Sequence, residues 1–366
     1  MSTHSDDRLD EMVGGIRAGH TTYTEADWEQ RLGALLASQG TPAVVSDVIR
    51  PDAGSSSTSI LFSARAADDP AAPVSRYVAR LMPETPFFVR YDLPQQFEIQ
   101  RYLHSVGLPV PNALWIDAHG EWLGRPGYVM DFVPGRASTA AYFGPGGSLA
   151  DLDDQTRFAR LRTMVGHLAA FHAKTDPRDV PSLAKRIDDC RPIEDEVDEW
   201  FEMVVPSPEL VPLYDRVRRW LHENAPACPQ PVLIHGDFQS SNVLWGDDDL
   251  VGILDFEFSR IGARESDLAW QHVLDDVSAR FFSGLDIALP SIEQRAAWYQ
   301  EACGVALENL NYFVTKAAFQ MACGVVSFAR SERQDLLTDP TPAMNYYNRY
   351  LLKLLPEPFE LPVTQS

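Results

Sequence analysis

Between Val232 and Trp270 the chain alternates short apolar runs with polar residues in a set order, and this stretch restricts the fold more than any other. Val232-Leu233-Ile234 delivers His235-Gly236-Asp237 into a loop, and Asn242 follows Asp237 by five positions. Val243-Leu244-Trp245 and the run from Leu250 to Leu254 flank a Gly-Asp-Asp-Asp turn and predict a β-hairpin ending on Asp255. A hairpin returns the chain to its start, so Asn242 and Asp255 are expected side by side at its open end. An amide oxygen and a carboxylate there, beside Asp237, make a hard-oxygen site suited to Mg²⁺ with phosphate. Asp237 is then free to take a proton from an attacking hydroxyl. Asp247, Asp248 and Asp249 cannot all face one ion from a strand and are read as a solvated hairpin tip.

The spacing His235-x-Asp237-x-x-x-x-Asn242, followed by Asp255-Phe256-Glu257, resembles the aminoglycoside phosphotransferase and choline-kinase-like branch of the protein-kinase fold. Gly262 to Ala269 resembles the same branch, with Arg264 where many members carry Pro. The resemblance spans about residues 41 to 355 and implies an α+β, protein-kinase-like two-lobe fold. A small antiparallel sheet with a helix would form the first lobe and a larger, mainly helical lobe the second. The implied segments are a tail and helix over 1–40, a nucleotide-binding lobe over 41–133, and a lobe with catalytic loop and acceptor-binding helices over 134–366. In this reading Asp237 is the catalytic residue, while Asn242 and Asp255 hold Mg²⁺. His235 braces the loop through its ring, and Asp267 hydrogen-bonds it.

The first half of the chain fits the resemblance with one departure. Thr24 with Asp27 starts a helix whose Trp28, Leu32, Leu35 and Leu36 share a face, and Gly40 closes it. Val44 to Ile49 and Ser59 to Ala64 read as strands around a Gly- and Ser-rich turn. Small residues there let the backbone approach a phosphate chain, and the resemblance assigns Ser55, Ser56, Ser57 and Thr58 to that task. Arg76 to Met82 alternates as a third strand, with Arg80 where the family carries the Lys that holds the α- and β-phosphates. Arg keeps the charge and grips phosphate bidentately with different reach. Glu98 lies in a helix over Leu93 to Val106, 18 residues after Arg80, a separation that fits a strand-to-helix ion pair. Met130, Asp131 and Phe132 form the link before Val133-Pro134-Gly135, where kinase-like folds read the purine edge through backbone groups.

Beyond the link, Phe158, Leu161, Val165, Leu168, Ala169 and His172 repeat at helical spacing, with His172 read as a core residue. Further helices follow Asp267, the last from Tyr346 to Leu355, and Trp270, His272, Asp275 and Tyr312 are candidates to line the acceptor pocket. The net charge of −21 repels nucleic acid and anionic membrane surfaces and suits a cationic acceptor. No apolar run reaches the roughly 18 residues of a membrane helix. The four cysteines have no metal-type spacing, which fits free thiols in a cytoplasmic protein. The expected activity is transfer of the γ-phosphate of ATP, or of GTP, with Mg²⁺ to a small-molecule hydroxyl, by a monomer or homodimer. Two alternatives remain: a hydroxyacyl-CoA kinase of the same fold, suggested by resemblance to the acyl-CoA-dehydrogenase-associated branch, and a catalytically silent nucleotide-binding scaffold. A protein kinase fits less well, because Ser266 follows Asp255 by only 11 positions and no Ala-Pro-Glu is present.

Overall fold

A computed structural model of the 366-residue chain describes residues 23–50, 58–83, 91–138, 143, 149–184, 193–204, 211–227, 230–247, 249–282, 287–332, 350–351 and 353–354. The backbone divides into two compact units, with the break between Pro134 and Gly135.

The first unit is a five-stranded antiparallel sheet with a helix on each face. Helix α1 (Glu25–Ser38) starts at a capping box: Asp27 N–H donates to Thr24 Oγ1 at 3.2 Å and Thr24 N–H to Asp27 Oδ2 at 2.8 Å. Its Trp28, Leu32, Leu35 and Leu36 are buried against the sheet, as their spacing predicts. Gly40, at φ 76°, turns the chain after the helix. Replacing Thr24 by Ala is expected to lower the melting temperature by about 1–3 °C, read by differential scanning calorimetry.

Strands β1 (Ala43–Ile49), β2 (Thr58–Ala66), β3 (Ser75–Leu81), β4 (Ala113–Asp117) and β5 (Gly127–Asp131) pair in the order β1-β2-β3-β5-β4. Helix α2 (Leu93–Ser105) begins at Asp92, whose Oδ1 accepts from Gln95 N–H at 2.9 Å. The alternation of β3 sends Ala79 and Leu81 to the α1 side. It sends Val78 to the α2 side, where Leu93, Phe97, Tyr128 and Met130 pack. Arg80 pairs across the sheet with Tyr128 and shares that second face.

The second unit is mainly helical: α3 (Asp154–Lys174), α4 (Pro181–Ala184), α5 (Ile193–Glu202), α6 (Val211–Glu223), α7 (Arg264–Phe282), α8 (Ile292–Cys303) and α9 (Leu310–Glu332). Five short strands interrupt them. β6 (Arg136–Ala137), β8 (Val243–Trp245) and β9 (Leu250–Ile253) make one sheet, and β7 (Val232–Ile234) pairs with β10 (Arg260–Gly262) in another. Along α3, Leu161, Val165, Leu168, Ala169 and His172 are buried. The last predicted helix, Tyr346 to Leu355, falls mostly outside the described residues. Among the described residues no helix is long and apolar enough to cross a membrane.

Candidate active site

Pairing of Val243 with Ile253 closes the predicted hairpin, and Leu254 N–H donates to Asn242 O at 2.8 Å. The two ends are therefore stitched together one residue short of Asp255. Asp255 itself has φ 70°, a conformation L-residues other than Asn and Asp avoid, at a cost of about 1–2 kcal/mol. Neighbours hold it: His235 Nε2–H donates to Leu254 O at 2.9 Å, and the His235 ring packs on buried Phe256 at 5.1 Å. His235 Nδ1 accepts from Asp237 N–H at 3.2 Å, so one neutral imidazole braces both the loop and the turn before Asp255. Burial keeps that ring's pKa below the ordinary value although Asp267 pulls the other way. His235 thus has the bracing role expected of it.

Asp267, fully buried near the start of α7, accepts from His235 N–H at 2.8 Å and Gly236 N–H at 2.7 Å. Its Oδ2 also accepts from His172 Nε2 at 3.0 Å, and Tyr299 Oη donates to His172 Nδ1 at 2.9 Å. Burial would raise the Asp267 pKa, but the hydrogen bond from His172, with that from the Gly236 N–H, holds it below the ordinary value. Gly236 has φ 84°, and a Cβ there would lie 2.3 Å from Phe258 O, so the loop tolerates only glycine between His235 and Asp237.

Asp237 is half-buried at the centre of three donors. Oδ1 accepts from Gln239 Nε2 at 2.7 Å and Trp270 Nε1 at 2.7 Å. Oδ2 accepts from Gln239 Nε2 at 2.9 Å and Asn242 Nδ2 at 2.7 Å. Burial and then the charge of Asp255 push its pKa up to about 7, against the pull of these donors. A carboxylate poised there can take a proton near neutral pH. Asn242 Nδ2 also donates to Asp237 O at 2.9 Å, which turns the amide oxygen away from Asp237. Gln239 was not among the residues singled out from sequence, and Trp270 had been placed in the acceptor pocket. The signal for both was positional: Gln239 is two residues past Asp237, and Trp270 is one helical turn past Asp267.

The other expected site residues fall as follows. Arg80 is buried on the sheet face covered by α2, the helix that carries Glu98, and both side chains are engaged in contacts. Ser55, Ser56 and Ser57 lie outside the described residues. Thr58 is the first residue of β2, paired with Leu81, so the strand begins one residue earlier than predicted. In the link, the Met130 thioether is packed in the core and accepts from Gln100 Nε2 at 3.1 Å. Asp131 N–H donates to Asn112 O at 3.0 Å and Phe132 N–H to Arg76 O at 3.2 Å. Those two N–H groups are thus engaged within the first unit.

The proposed acceptor-pocket residues also change role. Asp275 is fully buried in an ion pair with Arg295 at 2.8 Å, and Tyr312 stacks on Trp220 at 6.1 Å. Burial, with Arg295 nearby, lowers the His272 pKa to about 3, so its ring is neutral packing. Asp249, at the hairpin tip, is exposed and bonds His167 at 3.1 Å, consistent with a solvated turn. Among the described residues no group of three or more His, Cys, Asp or Glu side chains could hold a metal ion. Asp255 and Asn242 nonetheless offer the hard oxygens that suit Mg²⁺, which takes few protein ligands and completes its shell with phosphate and water.

An antiparallel sheet unit and a mainly helical unit with a His-Gly-Asp loop, a hairpin and a terminal Asp define a kinase-like phosphotransferase fold. The chain belongs to the phosphotransferase enzyme family, which it matches over residues 47–299. It is similar to acyl-CoA dehydrogenase family member 11 of Pongo abelii, at 26% identity over 67% of this chain and 32% of that protein. The chain thus spans about a third of the length of that relative. Among solved structures it resembles a putative aminoglycoside phosphotransferase from Ralstonia eutropha, with a TM-score of 0.66, 19% identity, and coverage of 88% of this chain and 98% of that one. It also resembles the ADP-bound aminoglycoside phosphotransferase APH(2'')-Ib, with a TM-score of 0.53, 13% identity, and coverage of 90% and 99%.

Proposed function

We propose that the protein transfers the γ-phosphate of ATP to a hydroxyl of a small molecule, with Mg²⁺. The observation that carries this reading is Asp237: a carboxylate oriented by three donors and raised to about 7 by burial and by the charge of Asp255. The acceptor hydroxyl gives its proton to Asp237 as its oxygen bonds to the γ-phosphorus and the bond to the departing ADP breaks. Asn242 and Asp255 would hold the metal ion, which would neutralise charge building on the phosphates. Arg80 is the cation proposed for the nucleotide phosphates, with Glu98 as its partner. Such a transition state needs little covalent help, so holding the groups in place and balancing charge carry most of the acceleration. An intact Asp237, Asn242 and Asp255 speak against a silent scaffold.

A second reading concerns the acceptor, a hydroxyacyl thioester. Next to Asp237, Trp270 packs on Trp200 at 5.9 Å, and Trp200 stacks on Phe258 at 6.1 Å. An aromatic wall favours an acceptor with an apolar body over a polycationic sugar. The name of the Pongo abelii relative, with its acyl-CoA dehydrogenase, points the same way. Release of ADP from Mg²⁺-ATP, measured across aminoglycosides, choline-like amines, sugars, macrolides and 3- and 4-hydroxyacyl-CoAs, tests both readings. Stimulation by any of these hydroxyls supports phosphotransfer, and a hydroxyacyl-CoA as the best acceptor supports the second reading. Binding of Mg²⁺-ATP without stimulation by any acceptor would favour the silent scaffold.

A further inference from the structure

An ionised carboxylate has about four acceptor positions, and all those of Asp237 are taken. Gln239 Nε2 reaches both oxygens at 2.7 and 2.9 Å, Trp270 Nε1 reaches Oδ1 at 2.7 Å, and Asn242 Nδ2 reaches Oδ2 at 2.7 Å. An acceptor hydroxyl must come within about 2.6–3.2 Å of one of these oxygens to hand over its proton. One donor has to yield. The three differ sharply in how firmly they are held.

Asn242 is tied twice, by its second bond to Asp237 O at 2.9 Å and by its own carbonyl, which accepts from Leu254 N–H at 2.8 Å. Trp270 rides on α7 three residues after the fully buried Asp267, and its ring is pinned against Trp200. An indole has one donor, no acceptor and two side-chain torsions, so little is gained by moving it. Gln239 is half-buried on the loop, carries a long flexible side chain, and splits one nitrogen between two oxygens. A shared donor makes two imperfect bonds, and releasing the side chain restores rotamer freedom.

We propose that Trp270 is a positioning residue that stays on Asp237 through phosphotransfer, and that the Gln239 amide holds the place of the acceptor hydroxyl until the acceptor displaces it. The two residues then act with opposite sign. Removing the Trp270 donor frees the carboxylate to rotate and weakens its ionised form. Removing the Gln239 amide empties the position the hydroxyl must occupy. The kinetic part of this inference rests on the phosphotransfer reading above; the contact between Trp270 and Asp237 does not.

The two parts can be tested separately on the full chain. The ¹H–¹⁵N indole resonance of Trp270, one of eight tryptophans, is identified by its loss in Trp270→Phe and recorded at one pH without ligand. It is expected to move when Asp237→Ala removes its acceptor; a resonance that Asp237→Ala leaves in place overturns the positioning role. With Mg²⁺-ATP and water as acceptor, Trp270→Phe is expected to lower kcat by about tenfold or more and leave the KM for ATP unchanged. Gln239→Leu is expected to raise the rate about two- to fivefold. An unchanged kcat in Trp270→Phe reduces Trp270 to packing, and a slower Gln239→Leu enzyme overturns the displacement. An indole that moves with Asp237→Ala in a protein with no ADP release would sink the phosphotransfer reading while leaving the contact in place.

Discussion

Asp237→Ala is expected to cut acceptor-dependent ADP release by about 10²–10⁴-fold while leaving the binding of Mg²⁺-ATP measurable by calorimetry. The loss should fall on kcat, because the carboxylate acts on the proton that leaves during transfer and has no part in nucleotide affinity. The same variant reports on electrostatics. The folded pKa of Asp237, about 7, lies above the ordinary value of 3.8 that an unfolded chain would show. Between those values the folded state holds a proton that the unfolded state has lost, so stability falls as pH rises through that window. The contribution is present below about pH 4 and gone above about pH 7, on the order of a few kcal/mol at most. Denaturant melts of the ligand-free protein should therefore show a downward slope between pH 4 and 7 that is shallower in Asp237→Ala. Equal slopes in the two proteins would mean that burial and the charge of Asp255 do not raise Asp237. Added Mg²⁺, held by Asn242 and Asp255, should offset the loss at pH 8 and do less at pH 5, since its charge cancels that of Asp255 and favours the ionised form of Asp237.

Much of this site is legible in the sequence, for identifiable reasons. The hairpin is readable because two apolar runs bracket a turn of residues that favour tight loops, and its closure then brings Asn242 toward Asp255. Asp267 could be tied to the loop through its place near a helix start in the run from Gly262 to Ala269 that resembles the family, and its burial explains why it takes two backbone donors there. The left-handed backbone of Asp255 leaves no mark in the residue order, since it arises from the bonds on either side of it. Gln239, and the bond of the pocket candidate Trp270 to Asp237, were not foreseen for a related reason. Their meeting on Asp237 depends on the phase of α7 and on the path of the loop, neither of which periodicity determines. His272 and Asp275 looked like pocket residues because they are polar. The partner that absorbs Asp275, Arg295, comes from another helix 20 positions away. In the link, which single N–H groups are already bonded, Asp131 to Asn112 and Phe132 to Arg76, depends on pairing that residue order does not reveal.

Asp267→Ala is expected to be the most damaging single change to the fold of the second unit. The carboxylate is fully buried and receives His235 N–H, Gly236 N–H and His172 Nε2. Alanine leaves three donors without an acceptor in a space closed to water, at about 1–3 kcal/mol for each that finds no new partner. A total near 3–5 kcal/mol is a large share of an ordinary domain's stability. The His-Gly-Asp loop would lose its floor, so activity should fall with stability. Asp267→Asn separates the two effects. Its amide oxygen can still accept from Gly236 N–H, but its nitrogen then faces a second donor unless the His172 ring changes tautomer. That switch is open to His172, because its other nitrogen meets the Tyr299 hydroxyl at 2.9 Å, and a hydroxyl can accept as well as donate. Asp267→Asn should therefore melt between wild type and Asp267→Ala in urea. The further change Tyr299→Phe should destabilise the Asn variant more than it destabilises the wild type. Strict additivity of the two changes would show that His172 keeps its tautomer and that the chain from Tyr299 to the loop does not act as one unit.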